Sequence, residues 1–385
     1  MRVLLLSCDN VVPASGGATG SEVIRWGLIN GLLNNGALPS FYVAGNWSEG
    51  KRQRFQVGQD ALSGIGVQFR YDQPSKGAAA IESLRLAVDN FRPDVILAYG
   101  AAPLRLAREA APEVLAGIMS VDLEYLPVLH RYWFNLRYGR MRTKMKSAVL
   151  TPYRLMSAAN IAHEVRRDYR IADFVINHAA HHADWHRSTH RRPTLYVPNP
   201  VAALGERPVR RPVRPARFLM IGAIHGIATL TGLAWFAKHV YPLLEPAILQ
   251  DKMEIHLIGK GEIEPSIGKR MPKVVRRGFV ENLADEFAAA TAVLVPTPIT
   301  LGFRTRIVEA FSHGVTVVAH EANAVGMPEL ADGGNALIAA SGPEFAEKCL
   351  RLVERPAEAE RLGNTASHDF SSRLNADLVA KKMIE

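Results

Sequence analysis

Short apolar runs separated by stretches of helical periodicity recur along the chain, and this alternation predicts strand followed by helix over most of its length. Val3 to Ser7, Ser40 to Ala44, Val95 to Tyr99, Gly117 to Val121 and Phe174 to Asn177 each read as a buried strand. After the first run, Val23, Ile24, Trp26, Leu28, Ile29, Leu32 and Leu33 return at helical spacing until Gly36 stops them. Strands and helices in this order predict a parallel, doubly wound sheet. Val197-Pro198-Asn199-Pro200 closes the region, and Pro208, Pro212 and Pro215 then alternate with Arg207, Arg210, Arg211, Arg214 and Arg217. That segment reads as a linker, extended by its prolines and solvated by its arginines. A second alternation starts at Phe218 and runs to Ile338, with helical segments near 343–353 and 356–367. The expected organisation is an α/β chain with a domain at 1–200, a linker at 201–216 and a domain at 217–385.

Composition agrees with two domains, since 385 residues at 48% hydrophobic content supply two cores of ordinary size. Cys8 and Cys349 are too few for a disulfide framework, which points to a reducing compartment. The apolar run at the amino terminus is shorter than a signal-peptide core. No uninterrupted apolar stretch reaches the roughly 20 residues that span a bilayer. A cytoplasmic protein is expected, soluble or peripheral at the inner face of the plasma membrane. The net charge of +9 is unevenly placed: Arg131, Arg137, Arg140, Arg142, Lys144, Lys146 and Arg154 crowd a segment interleaved with Tyr132, Trp133, Phe134, Tyr138 and Met141. Three readings are open for 131–154: an anionic membrane surface as partner, nucleic acid as partner, or a solvated helix face. Nucleic acid leaves the ordered motifs described next unexplained.

Candidate chemistry concentrates in Gly302-Phe303-Arg304-Thr305-Arg306-Ile307-Val308-Glu309-Ala310, which follows the loop Pro296 to Leu301. Arg304 and Arg306 open a helix whose free N–H groups and positive dipole end already favour a phosphate. Glu309, about one turn further on, accepts hydrogen bonds when ionised and suits the vicinal hydroxyls of a ribose. Together they suit a nucleoside diphosphate. With Gly314-Val315-Thr316-Val317-Val318 after it, the segment resembles the retaining glycosyltransferases of family 4, the group 1 transferases, in the branch that reads G-x-R-x-K-I-L-E-A-x-x-x-G-x-x-V-V. Arg306 stands where that branch has Lys. Gly222-Ala223-Ile224-His225, Ile255-His256-Leu257-Ile258-Gly259 and Gly278-Phe279-Val280-Glu281-Asn282-Leu283 are similar to the family's other blocks, in the same order.

The resemblance implies the glycosyltransferase B architecture, two facing Rossmann-like domains with an interdomain cleft, and a nucleotide-sugar as co-substrate with no cofactor and no metal. It implies donor contacts at Gly16 and Gly17, Gly222, His225, Gly278, Phe279, Gly302, Phe303 and Glu309. Arg304 and Arg306 are the candidates for stabilising the departing diphosphate, an oxyanion problem in which one donor is worth about 3 kcal/mol. Asp122, with Glu124, follows the strand ending at Val121, where family members direct an acidic or His side chain toward sugar and acceptor; a helix cap or salt bridge is the other reading. Two departures stand out. Leu301 replaces a Glu of the commonest family signature, and Gly226 to Leu230 lack that signature's basic pair. His178, His182, His186 and His190 recur at helical spacing with no cysteine or regular carboxylate partner, and read as a polar helix face rather than a zinc site. The expected activity is transfer of a sugar to a glycan or lipid-linked acceptor, in surface polysaccharide or glycoconjugate biosynthesis. An epimerase or phosphorylase on the same scaffold, or a binding protein without turnover, are the alternatives.

Overall fold

The computed structural model of the chain describes residues 1–385 apart from 10, 12, 14–19, 46–48, 73–76, 121, 124, 139–140, 205–208 and 281, and apart from the side chains of 49–54 and 141–142. Its strands are β1 (Arg2–Ser7), β2 (Leu38–Ala44), β3 (Gln68–Asp72), β4 (Val95–Tyr99), β5 (Leu115–Ser120), β6 (Phe174–Asn177), β7 (Thr194–Tyr196), β8 (Ala216–Ile221), β9 (Met253–Ile258), β10 (Val275–Gly278), β11 (Ala290–Val295), β12 (Thr316–His320) and β13 (Ala336–Ala339). They form two sheets. The first runs β3-β2-β1-β4-β5-β6-β7 and the second β10-β9-β8-β11-β12-β13, with parallel ladders throughout, as between Leu5 and Leu97 or Met220 and Leu257.

Each central strand is apolar on both sides because helices cover both faces. In β1, Val3 and Leu5 pack with Leu28, Phe41 and Phe69 on one face, while Leu4 and Leu6 pack with Leu84, Leu104 and Ile118 on the other. In β8, Phe218 and Met220 face one cluster and Leu219 and Ile221 the opposite one. Burying each such side chain contributes about 1.5–3 kcal/mol, and a register slip of one residue would exchange the two faces. The strands that periodicity does not reveal are edge strands: β3 reads QFRYD with a single fully buried position, and β7 is three residues long.

The chain crosses between the sheets twice, side by side, since Val201 bridges Asn375 and Ala376 N–H donates to Val201 O at 2.9 Å. The reading of 217–385 as one unit therefore fails at its end. Helix Ala376–Ile384 returns to the first domain, where Val379 and Ala380 join the cluster of Leu28 and Leu32. Helix Gly20–Asn34 makes room for both crossings: a Cβ on Gly27 would lie 2.1 Å from Pro200 O, and one on Gly31 2.3 Å from Ala376 O. The arginines of 201–216 are not all solvated, for Arg210 is half-buried and donates to Gly314 O at 3.1 Å and to Ala290 O. Nor are His178, His182, His186 and His190 a polar face. All four are buried, and His186 stacks on Tyr169 at 4.4 Å with Trp185 against its edge.

Candidate functional site

Both sheets reverse their winding at one place, between β1 and β4 in the first and between β8 and β11 in the second. Ligands of such sheets sit outside the carboxyl ends of the strands there. At the end of β8, Gly222 takes φ 146°, a backbone conformation that side chains rarely adopt. Arg306 lies directly over it: a Cβ on Gly222 would come 3.1 Å from Arg306 Nη2, and the same nitrogen donates to Thr229 Oγ1 at 3.2 Å. Thr229 belongs to helix Ile227–His239, which opens just after the Gly222 loop. Arg304 is the residue before helix Thr305–Ser312.

The charges here are poorly compensated. Burial holds Arg306 down to about 10, helped by Arg304 and opposed by Glu309. Burial likewise lowers Arg304 against the attraction of Asp122, pushes Glu309 up to about 7 against Arg306, and raises Asp122 against Arg304. Desolvation dominates all four. Among the described residues, Arg304 Nη2 and Asp122 Oδ1 are buried without a hydrogen-bond partner.

Asp122 comes from the first domain, after β5, and reaches the second at Gly302. That glycine has φ 56°, and a Cβ on it would stand 2.4 Å from Asp122 Oδ1. The two domains also meet through Asn199 Nδ2 donating to Thr305 Oγ1 at 2.8 Å, Tyr196 OH donating to Glu329 Oε2 at 2.8 Å and Ala180 N–H donating to Gly326 O at 3.1 Å. A Cβ on Gly20 would lie 2.9 Å from Thr305 Oγ1, so the amino ends of helices Gly20–Asn34 and Thr305–Ser312 converge. Two dipole ends and two guanidinium groups thus border one crevice.

The structure brings Arg304, Arg306, Glu309, Asp122, Gly222 and Gly302 together. Gly278 ends β10, where its carbonyl accepts from Gly259 N–H at 2.7 Å. Phe279 is exposed under Lys260, whose Nζ stands 4.2 Å from the ring centroid. Between these turns lies a cavity of about 540 Å³ lined by Ile224, Gly259, Gly261, Ile263, Lys269 and Gly278 among others. His225 is exposed, and its carbonyl accepts a hydrogen bond from Arg131. Phe303 does not face the crevice: it is buried with Val23, Ile307 and Phe311, where a β-branched and aromatic cluster excludes any polar ligand. Leu301 is likewise buried, against the cluster that includes Phe134. Gly16, Gly17, Thr19 and Glu124 lie outside the described residues. Sequence reasoning missed Thr229, whose place three residues after Gly226 at a helix start is a usable signal, and Asn199, which only the fold brings to Thr305. No group of three metal-ligating side chains converges among the described residues.

Residues 215–355 match the family model described as glycosyl transferases group 1. The match covers most of the second domain. No curated protein matches the chain. Among solved structures, that of Anabaena HepE in complex with UDP and glucose is similar over 100% of this chain and 98% of its own, at 14% identity and TM-score 0.64. A glycosyltransferase from Rickettsia africae is similar over 100% and 96%, at 11% identity and TM-score 0.66. Sucrose-phosphate synthase from Thermosynechococcus elongatus is similar over 100% and 97%, at 13% identity and TM-score 0.64. These likenesses extend over both domains and show the glycosyltransferase B fold for the whole chain. The second domain supplies Arg304, Arg306 and Glu309 to the crevice, and the first supplies Asp122.

Proposed function

We propose that the chain is a retaining glycosyltransferase that moves a sugar from a nucleoside diphosphate to a glycan or lipid-linked acceptor, in surface polysaccharide or glycoconjugate assembly. The observation that carries this reading is Arg306, held between the Gly222 backbone and Thr229 at the switch point of the second sheet. A diphosphate there would meet Arg304, Arg306 and two helix amino ends, all fixed before the reaction begins. Its arrival would reverse the burial cost of the two guanidinium groups, because the anion replaces the water they lack. In the transfer, the bond from the sugar C1 to the phosphate oxygen breaks and a bond from C1 to the acceptor oxygen forms. The acceptor proton passes to the departing phosphate oxygen on the same face. The two arginines take up the charge that develops on the diphosphate, which is the role a metal would otherwise fill. Asp122, whose charge Arg304 attracts across the crevice, would hold a hydroxyl of the transferred sugar or the acceptor. Glu309 would accept from the ribose, and the cavity beside Gly278 would take the base.

That HepE is crystallised with UDP and glucose, and with UDP-glucose, supports a UDP-hexose as the first donor to try. In a thermal-shift series, a donor at 100 times its dissociation constant should stabilise the protein by about 2.7 kcal/mol. Arg306→Ala should remove that shift and slow transfer by about a hundredfold or more. A variant that keeps the full ligand shift would take Arg306 out of the site and the reading with it.

A further inference from the structure

The basic segment of the first domain is built as three helices, Tyr125–Tyr138, Met141–Val149 and Thr151–Tyr169. The last two are nearly continuous, since Leu150 N–H donates to Lys146 O at 3.0 Å and Arg154 N–H to Leu150 O at 2.9 Å. Between this rod and helix Tyr125–Tyr138 opens a cavity of about 620 Å³. Arg131, Lys146 and Arg154 line it together with Asn135, Thr143 and Ser147, and among the described residues no carboxylate does. Val128, Leu150 and Ile227 give it an apolar floor. Ile227 begins the helix that follows the Gly222 loop, and Arg131 donates to His225 O in that loop. The cavity therefore adjoins the donor crevice from the acceptor side.

A second feature runs beside it. Met145, Val149, Tyr153 and Met156 repeat at helical spacing along the same rod, and all four are exposed, Val149 to 79%. Successive residues of a helix point about 100° apart, so this stripe flanks the one formed by Lys146, Leu150 and Arg154. Large apolar side chains in contiguous array on a surface mark an interaction site. Cations around such a stripe match the negative surface of a bilayer, with the apolar side chains at the level of the acyl boundary.

We infer that this rod docks the protein on an anionic membrane, with Met145, Val149, Tyr153 and Met156 entering the interface and the cavity of Arg131, Lys146 and Arg154 receiving a lipid phosphate. The inference deepens the transferase reading, for it makes the acceptor a lipid-borne group presented beside the donor crevice. It also stands apart from that reading in its test.

The full chain is sedimented with phosphatidylcholine vesicles and with vesicles that also contain phosphatidylglycerol. Sedimentation with the anionic vesicles alone, weakened by salt, is expected. Each cation near such a surface is worth about 1 kcal/mol, or about fivefold in partition, so Lys146→Glu with Arg154→Glu should lower binding by roughly several hundredfold. Val149→Asp with Tyr153→Asn should also abolish sedimentation while leaving the phosphate pocket intact. Both double variants should keep the wild-type thermal shift with UDP, and Arg306→Ala should lose that shift yet still sediment. No preference for anionic vesicles overturns the inference. So does full sedimentation of either double variant, or tighter binding to an oligonucleotide than to the anionic vesicles. Loss of the UDP shift in Arg306→Ala with any of these outcomes leaves the donor site standing.

Discussion

Replacing Glu309 by Gln tests whether this carboxyl is held against its own solvation. Burial pushes its pKa from 4.5 up to about 7, and Arg306 offsets only part of that. The sign follows from proton binding: between pH 4.5 and 7 the folded protein holds the proton that the unfolded chain has released. This group's contribution to stability is thus fully present below pH 4.5 and is lost as pH rises through 7. At 1.36 kcal/mol for each pH unit, the loss above pH 7 amounts to about 3 kcal/mol. Glutamine has the same shape and no charge to desolvate.

The variant and the wild type should therefore be equally stable near pH 4.5 and diverge with rising pH, the variant ahead by about 3 kcal/mol at pH 8. For a domain of this size each kcal/mol moves the melting temperature by roughly 2–4 °C, so a difference of several degrees should open between pH 5 and pH 8. Calorimetry or circular dichroism across that range measures it. Asp122 is also raised by burial and tilts the stability of both proteins in the same direction, but it cancels in the comparison. The variant should at the same time bind a nucleoside diphosphate more weakly at pH 8. A difference that does not change with pH, or a variant less stable at pH 8, would refute the argument that Glu309 is an under-solvated charge.

Gly302→Ala combines a left-handed backbone position with a Cβ that would stand 2.4 Å from Asp122 Oδ1; strain of this kind costs about 1–3 kcal/mol, and urea unfolding together with a fall in transfer rate should report it. In Gly27→Ala the new methyl meets the carbonyl oxygen of Pro200 at 2.1 Å, a backbone atom that cannot rotate away, so the crossover must shift; limited proteolysis at the crossover should accelerate, and an unchanged rate would contradict the packing. His186 is held by burial, and by His190 and His182, at about 3 against the usual 6.5, so its contribution to stability is present above pH 6.5 and is lost as pH falls. His186→Phe should accordingly raise stability at pH 5 by about 2 kcal/mol, at 1.36 kcal/mol for each of the 1.5 units below the unfolded value, and have much less effect at pH 8.

Much of the architecture was legible because central strands of a parallel sheet carry their signal locally. Val95 to Tyr99 and Phe174 to Ile176 are unbroken apolar runs, and strands occupy those residues. Edge strands are different: β3 alternates polar and apolar residues, and β7 is too short for any period. The return of helix Ala376–Ile384 to the first domain was not legible at all, since nothing in its own residues says that Gly31 would leave a groove for Ala376. The site divided in the same way. Arg304, Arg306 and Glu309 share one short segment and were found together, whereas Thr229 and Asn199 reach it from distant parts of the chain. Phe303 was misplaced for a simple reason: sequence puts it beside Arg304, but a residue's neighbour on an extended segment points the opposite way, here into the core.

Under the proposed function, the incomplete pairing of these charges among the described residues has a use. A buried arginine given a full carboxylate partner would be neutralised, and the arriving diphosphate would then have to displace that carboxylate before it could bind. Among the described residues, Arg304 Nη2 and Asp122 Oδ1 are both buried without a hydrogen-bond partner, and Arg306 donates to the hydroxyl of Thr229 and is attracted by Glu309. The cluster is consequently less stable than it need be, as the upward shift of Glu309 and the downward shift of Arg306 both indicate. Under the proposed function, a diphosphate that relieves this deficit would bind with part of the desolvation already spent in folding. It follows that Arg306→Met, which removes the charge and keeps much of the apolar stem, should make the empty protein more stable and the ligand-bound protein no better than the empty one. A metal-free titration with UDP, followed by melting, separates those two effects.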